Sequence, residues 1–224
     1  MKTIILFGGT GGIGKSLYEY IKNSGKSIID NCDFAITPFG SKDVDLSNEY
    51  EVKSFFKFNN VDIIINMSGF NNDCFIHGYD NADLIEKQIK VNIMGNINIL
   101  RYSLPHMRKN GYGRIILPSS ILSEKTVKGT SIYSACKSFI ESLVRVAAVE
   151  NAKYGITINA LKMGYMDAGL TYKIKEEYRN QILKSIPANR FGSISDIYNA
   201  IHFIINCDYI NGQSLSLDGG LNGL

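Results

Sequence analysis

Tyr133 and Lys137 stand four residues apart in Tyr133-Ser134-Ala135-Cys136-Lys137, within a stretch predicted to be helical over 133–153. On a helix that spacing puts both side chains on one face. A tyrosine, with an ordinary pKa of about 10, is a poor acid or base near neutrality. A neighbouring ammonium favours the phenolate, and each unit of lowering corresponds to about 1.4 kcal/mol of differential stabilisation. The pair therefore has the makings of a tuned proton donor. The same spacing is common on ordinary helices, so its surroundings decide its meaning. Ser119 and Ser120 close a strand candidate at Arg114–Leu117, and Ser120 precedes Tyr133 by thirteen residues. Asn92 lies in Val91-Asn92-Ile93-Met94-Gly95, inside a helical stretch predicted over 83–109.

A second group of residues suits a phosphate. The apolar run Thr3–Phe7 leads into Gly8-Gly9-Thr10-Gly11-Gly12-Ile13-Gly14 and then a helix over about 13–24. Strand, glycine turn and helix in that order give a glycine pattern its meaning. The glycines permit a tight turn and close approach to a pyrophosphate, and the helix start offers free N–H groups and a positive dipole end. Gly14-Lys15-Ser16 approaches a P-loop without its full glycine spacing, and that reading is set aside.

These residues need a scaffold, and the chain supplies one. Further strand candidates are Val61–Ile65, Ile156–Leu161 and Ser214–Leu217, with helices over about 48–58, 174–185 and 195–206. Alternating strands and helices imply parallel strands joined by crossover helices. The expected fold is a single α/β domain over 1–224, a Rossmann-type doubly wound sheet, which binds ligands at the C-terminal ends of its strands. A net charge of +3 gives no reason to propose nucleic acid or an anionic membrane as partner. Cys32, Cys74, Cys136 and Cys207 are far apart and read as free thiols. His77, His106 and His202 show no metal-ligand spacing, so no metal is expected. With no apolar run long enough to span a membrane, a cytoplasmic location is expected.

The pattern Gly8-x-x-x-Gly12-x-Gly14, with Asn92, Ser120, Tyr133 and Lys137 at their spacings, resembles the short-chain dehydrogenase/reductase family, in particular its 3-oxoacyl-[acyl-carrier-protein] reductases. Asn66-Met67-Ser68-Gly69, Pro187–Gly192 with Asp196-Ile197, Asn211-Gly212-Gln213 and Leu217–Gly220 extend the likeness over nearly the whole chain. The resemblance implies hydride transfer between a nicotinamide cofactor and a carbonyl or alcohol. It gives Ser120 the substrate oxygen, Tyr133 the proton, Lys137 the tyrosine and the nicotinamide ribose, and Asn92 a relay water near the lysine. It implies cofactor contacts at Gly8, Thr10, Gly12, Ile13, Gly14, Asp45, Leu46, Asn66, Gly69, Tyr133, Lys137 and Gly164. It also implies a small-molecule or carrier-bound carbonyl substrate under a loop near 165–190, where Tyr165, Met166, Leu170 and Tyr172 suggest a partly apolar pocket. A homo-oligomer, a tetramer rather than a dimer, is expected through the helices over 83–109 and 133–153.

The departures are equally specific. Phe7 replaces the family's leading threonine, Met163 its proline before Gly164, and Ala168 a frequent threonine. The segment 25–47 is too short for two further strands and a crossover, so the usual third, edge strand is expected to be missing or vestigial. If Phe34–Thr37 is the second strand, Ser41 and Lys42 follow it and favour NADP(H), with NAD(H) possible. If Ile28-Ile29 is the strand, Asp30 or Asp33 falls near the ribose and favours NAD(H). Phe34-Ala35-Ile36 is the cleaner apolar run. Competing readings are a nucleotide-sugar epimerase or dehydratase using the same Tyr-Lys chemistry, and a non-catalytic nucleotide-binding protein.

Overall fold

The computed structural model describes residues 1–169, 171 and 174–222. Six strands form one parallel sheet: β1 (Lys2–Phe7), β2 (Phe34–Phe39), β3 (Ile63–Asn66), β4 (Gly113–Ser120), β5 (Ile156–Met163) and β6 (Ser214–Leu217), in the order β2-β1-β3-β4-β5-β6. The central strands read as runs of isoleucine and leucine because both faces are covered. On one face, Ile5, Phe7, Ile64, Ile115 and Ile158 pack against α2 (Glu49–Phe58), α4 (Gly95–Asn110) and α5 (Ser131–Asn151). On the other, Ile4, Leu6, Ile63, Ile65 and Ile116 meet α1 (Gly12–Ser24) and α7 (Ile194–Asn206). Each isoleucine buried this way contributes about 1.5–3 kcal/mol.

The second strand is Phe34–Phe39, as the apolar run indicated, and Ile28 and Ile29 are core residues of a loop instead. Strand β2 is the sheet edge, and the chain passes from it through residues 40–48 into α2, so the third edge strand is indeed missing among the described residues. β1 is flanked by β2 on one side and β3 on the other, so the strand order reverses at its C-terminal end. That reversal opens the crevice in which such sheets bind ligands.

The helix expected over 83–109 is corrected. It comprises α3 (Ala82–Ile89), a π-helical turn at Lys90–Met94 and α4. A π turn carries an extra residue, re-aims the side chains around it and recurs at functional sites; here it contains Asn92. β4 also runs further than expected, through Pro118 to Ser120. Its pairing with β3 stops at Ile116 while its pairing with β5 continues to Ser120. Past Ile116 the β3 side of β4 is free, which accommodates a proline that cannot donate to a ladder. The last helix before α7 is α6 (Glu176–Ser185). No helix among the described residues is long and apolar enough to cross a membrane.

Candidate active site

Ser120, Tyr133, Lys137 and Asn92 come together at the C-terminal end of β4. α5 carries Tyr133 and Lys137 one turn apart; the Lys137 Nζ lies 5.3 Å from the Tyr133 ring centre. Lys137 is almost fully buried and its Nζ donates to the carbonyl of Pro118 at 2.9 Å. Ser120 forms a hydrogen bond with the Tyr133 hydroxyl, and its own Oγ accepts from the Leu122 N–H. Asn92 sits across from them, its Nδ2 donating to Phe70 O at 2.6 Å and Gln88 O at 2.9 Å. A Cβ built on Gly69 would lie 3.4 Å from Asn92 Oδ1 and 3.8 Å from Lys137 Nζ. Gly69 thus keeps the space above both groups open.

The electrostatics differ from the sequence expectation. Burial, aided by the Asp73 charge, pushes the Tyr133 phenol up to about 12, and the Ser120 hydrogen bond only partly offsets this. Burial also draws the Lys137 ammonium down to about 8. Here desolvation dominates, and the tyrosine is held as the neutral phenol. Tyr165, from the loop after β5, is raised by burial and by the same Asp73. Asp73 gave no signal in the sequence, since a lone acid in a polar loop reads as solvated.

The glycine loop follows β1 into α1. A Cβ on Gly14 would stand 2.3 Å from Gly8 O, and one on Gly8 would stand 2.6 Å from Ser68 N, so helix, turn and β3 loop close tightly. Gly11 faces open space, and Gly12 nearly so. The N-terminus of α1 has no side-chain cap and no acid in its first turn. Beside it lies a cleft of about 80 Å³ lined by Phe7, Gly8, Phe39, Ser41, Asp45 and Leu46. Phe7 packs on Phe55 at 5.5 Å between ring centres, and Phe55 on Phe39 at 4.8 Å. The substitution of phenylalanine for threonine therefore extends an aromatic cluster beneath an apolar cleft. Open glycine surface, free N–H groups and an adjoining apolar cleft fit a dinucleotide.

The remaining expected contacts fall at varied depths. Thr10 packs against Gly40, where a Cβ would come within 1.9 Å of its Oγ1. Ile13 meets Gly169 of the loop after β5. Asp45 accepts both the Ser47 N–H and hydroxyl on Oδ1. Asn66 is fully buried, held by Ser68 and Asn96. A Cβ on Gly164 would press to 2.9 Å on Asp218. Lys42 is exposed and has no ion pair among the described residues, whereas Asp43 turns its carboxylate back onto the Gly40 N–H at 2.7 Å. Met166 is buried in the core; Leu170 and Tyr172 lie outside the described residues. A groove of about 370 Å³ opens beside Ser134, lined by Phe75, Ile76, Leu122 and Val127 with Lys125 and Lys128.

The sequence profile of the family described as enoyl-(acyl carrier protein) reductase matches residues 31–222. The chain belongs to the short-chain dehydrogenase/reductase family. Its likeness to members of that family runs end to end. It is 28% identical to carbonyl reductase family member 4 of Xenopus laevis, over 98% of each chain. It is 28% identical to the 3-oxoacyl-[acyl-carrier-protein] reductase FabG of Rickettsia felis, over 98% of this chain and 96% of that one. Among solved structures, ElxO with NADP bound superposes with a TM-score of 0.84 at 25% identity, covering both chains completely. A gluconate 5-dehydrogenase from Burkholderia cenocepacia, in complex with NADP and tartrate, superposes with a TM-score of 0.86 at 23% identity, over 100% of this chain and 96% of that one, which speaks to the fold. As a short-chain dehydrogenase/reductase, this chain is an NAD(P)-dependent oxidoreductase.

Proposed function

We propose that this chain works as a carbonyl reductase in which Tyr133 donates the proton. The observation that carries the reading is the convergence of Ser120, Tyr133, Lys137 and Asn92 at one strand end, with the phenol held neutral. The nicotinamide cofactor supplies the hydride when bound. Ser120 donates a hydrogen bond to the substrate oxygen and steadies its developing charge. Tyr133 passes its proton to that oxygen, and the buried Lys137 cation stabilises the phenolate left behind. Asn92, in its π turn, holds the Phe70 backbone and shapes the space next to Lys137 through which a water would resupply the proton.

Gly8, Gly12, Gly14 and the start of α1 would hold the pyrophosphate, and the cleft between Phe7 and Phe39 the adenine. NADP(H) is the preferred cofactor, because Ser41 and Lys42, which has no ion pair among the described residues, follow β2 directly and a phosphate takes charge-assisted hydrogen bonds from such groups. The relatives solved with NADP point the same way. The Asp43 carboxylate on Gly40 N–H favours the second reading, NAD(H), since it sets negative charge at the strand end. The groove beside Ser134, largely apolar with Lys125, Lys128 and Glu124 among its lining, suits a small-molecule or carrier-bound carbonyl with an apolar chain. The loop near 165–190 would cover that substrate. The protein works as a homo-oligomer in the cytoplasm; exposed Phe139, Val146 and Val149 along α5 support self-association.

The test is a panel of a 3-oxoacyl thioester, a simple ketone and a keto-sugar, followed by NADPH and NADH absorbance. Turnover of at least one carbonyl, with higher kcat/KM for NADPH and a drop of about tenfold for NADPH alone in Lys42→Ala, is expected. Absence of turnover on every carbonyl contradicts the activity. An NADH preference, or an unchanged Lys42→Ala, contradicts the cofactor assignment.

A further inference from the structure

Lys162 is a buried cation at the end of a central strand. Across the β4–β5 ladder it stands opposite Ser119, the neighbour of Ser120. The Lys162 side chain is 5% exposed and that of Glu141, on α5, is 8% exposed; Nζ and Oε2 are 3.1 Å apart. The other Glu141 oxygen accepts the Ser119 hydroxyl at 2.6 Å and the Ser123 hydroxyl at 2.5 Å. Ser123 Oγ also lies 2.7 Å from the Ser120 carbonyl. One carboxylate oxygen therefore grips the chain immediately before Ser120 and three residues after it. On its outer side Lys162 meets Glu124 at 2.5 Å, and Glu124 is tied in turn to Asn222.

Glu141 is one helical turn beyond Lys137 and two beyond Tyr133 on the same straight element. A rigid helix thus carries the proton donor, its cation and the carboxylate that sets the serine segment. We propose that Glu141, neutralised by Lys162, positions Ser120 against Tyr133, so that both members of the buried pair are positioning residues; the inference rests on the carbonyl chemistry proposed above. A buried ion pair is a poor device for stability alone, because desolvation offsets much of its attraction. Without Lys162, Glu141 would be left as an uncompensated buried charge. A carboxylate drawn away from that unfavourable position loosens its grip on Ser119 and Ser123. Burial works against the Lys162 cation, but Glu124 and Glu141 outweigh it and hold the ammonium above its ordinary range.

The experiment uses the intact enzyme, NADPH and the carbonyl of the panel turned over fastest. Lys162→Met and Glu141→Gln are made alone and in a Ser120→Ala background. Each alone should lower kcat about tenfold, since small misplacements of reacting groups are costly. NADPH affinity, read by cofactor fluorescence, should stay within about twofold, as neither residue belongs to the dinucleotide site. In the Ser120→Ala background the same changes should lower kcat less than about twofold, the signature of residues acting through one group. If Lys162→Met does not fold, Ser119→Ala removes one hydrogen bond and no charge, and should show the same loss of effect in that background. Losses that multiply with Ser120→Ala, or single variants with wild-type kcat, overturn the positioning role while the carbonyl reading stands. A wild type with no carbonyl turnover overturns that reading and this inference with it.

Discussion

At the scale of the residue, the site works by opposing shifts. Burial and Asp73 raise Tyr133 to about 12, and burial lowers Lys137 to about 8. Between neutrality and pH 8 the phenol keeps its proton while the lysine keeps its charge, the combination a reductase needs. Reductive kcat/KM should therefore be level from about pH 6 and fall above about pH 8, where Lys137 deprotonates. Lys137→Met should abolish that limb, and a limb that persists in the variant contradicts the assignment. The same shift affects folding. The folded-state value of Lys137 lies below its ordinary 10.5, so the unfolded chain binds more protons between about 8 and 10.5. Its burial penalty, on the order of 3 kcal/mol, is present below pH 8 and relieved as pH rises through that window. Denaturation at pH 7.5 and 10 should show wild type gaining stability relative to Lys137→Met. An unchanged difference would show that the lysine is not desolvated.

Elements place these residues, and they were legible in the sequence to different degrees. Strands and most helices followed from periodicity, and β2 from its uninterrupted Phe34-Ala35-Ile36. Tyr133 and Lys137 were visible because one helix carries both. The π turn was not, since one inserted residue barely disturbs a 3.6-residue pattern over a long helix. The Glu141–Lys162 pair also escaped, because one partner is on α5 and the other on β5, and they meet only where the helix packs on the strand. A lysine as the one charged residue of the strand run Ile156–Met163 was the available sign. The glycine turn offers the sharpest test at this scale. In Gly14→Ala the added methyl meets Gly8 O, so α1 must shift away from the turn. NADPH affinity should fall at least about tenfold, with stability lower by about 1–3 kcal/mol. Wild-type affinity in this variant would show that the turn does not cradle the cofactor.

At the scale of the whole molecule, one sheet edge and one helix face remain to be explained. The sheet ends at β2, covered on one face by α2, and the third strand, missing among the described residues, shortens that edge without disturbing the crevice above β1. Along α5, Phe139, Val146 and Val149 are exposed at helical spacing, Val149 by 80%. Apolar groups aligned this way mark an association surface. Light scattering at micromolar concentration should give a multiple of the 24.9 kDa chain mass, and Val149→Glu should shift it towards monomer. A monomeric wild type would refute the proposed assembly.

If this molecule reduces a carbonyl with Tyr133 as proton donor, Tyr133→Phe removes that donor and little else. The ring and its packing on α5 remain, and only the hydroxyl beside Ser120 is lost. With NADPH and the best carbonyl, kcat should fall about 10²-fold or more while cofactor affinity is nearly unchanged. Retention of more than about a tenth of wild-type kcat, well short of what losing a general acid costs, would contradict the account.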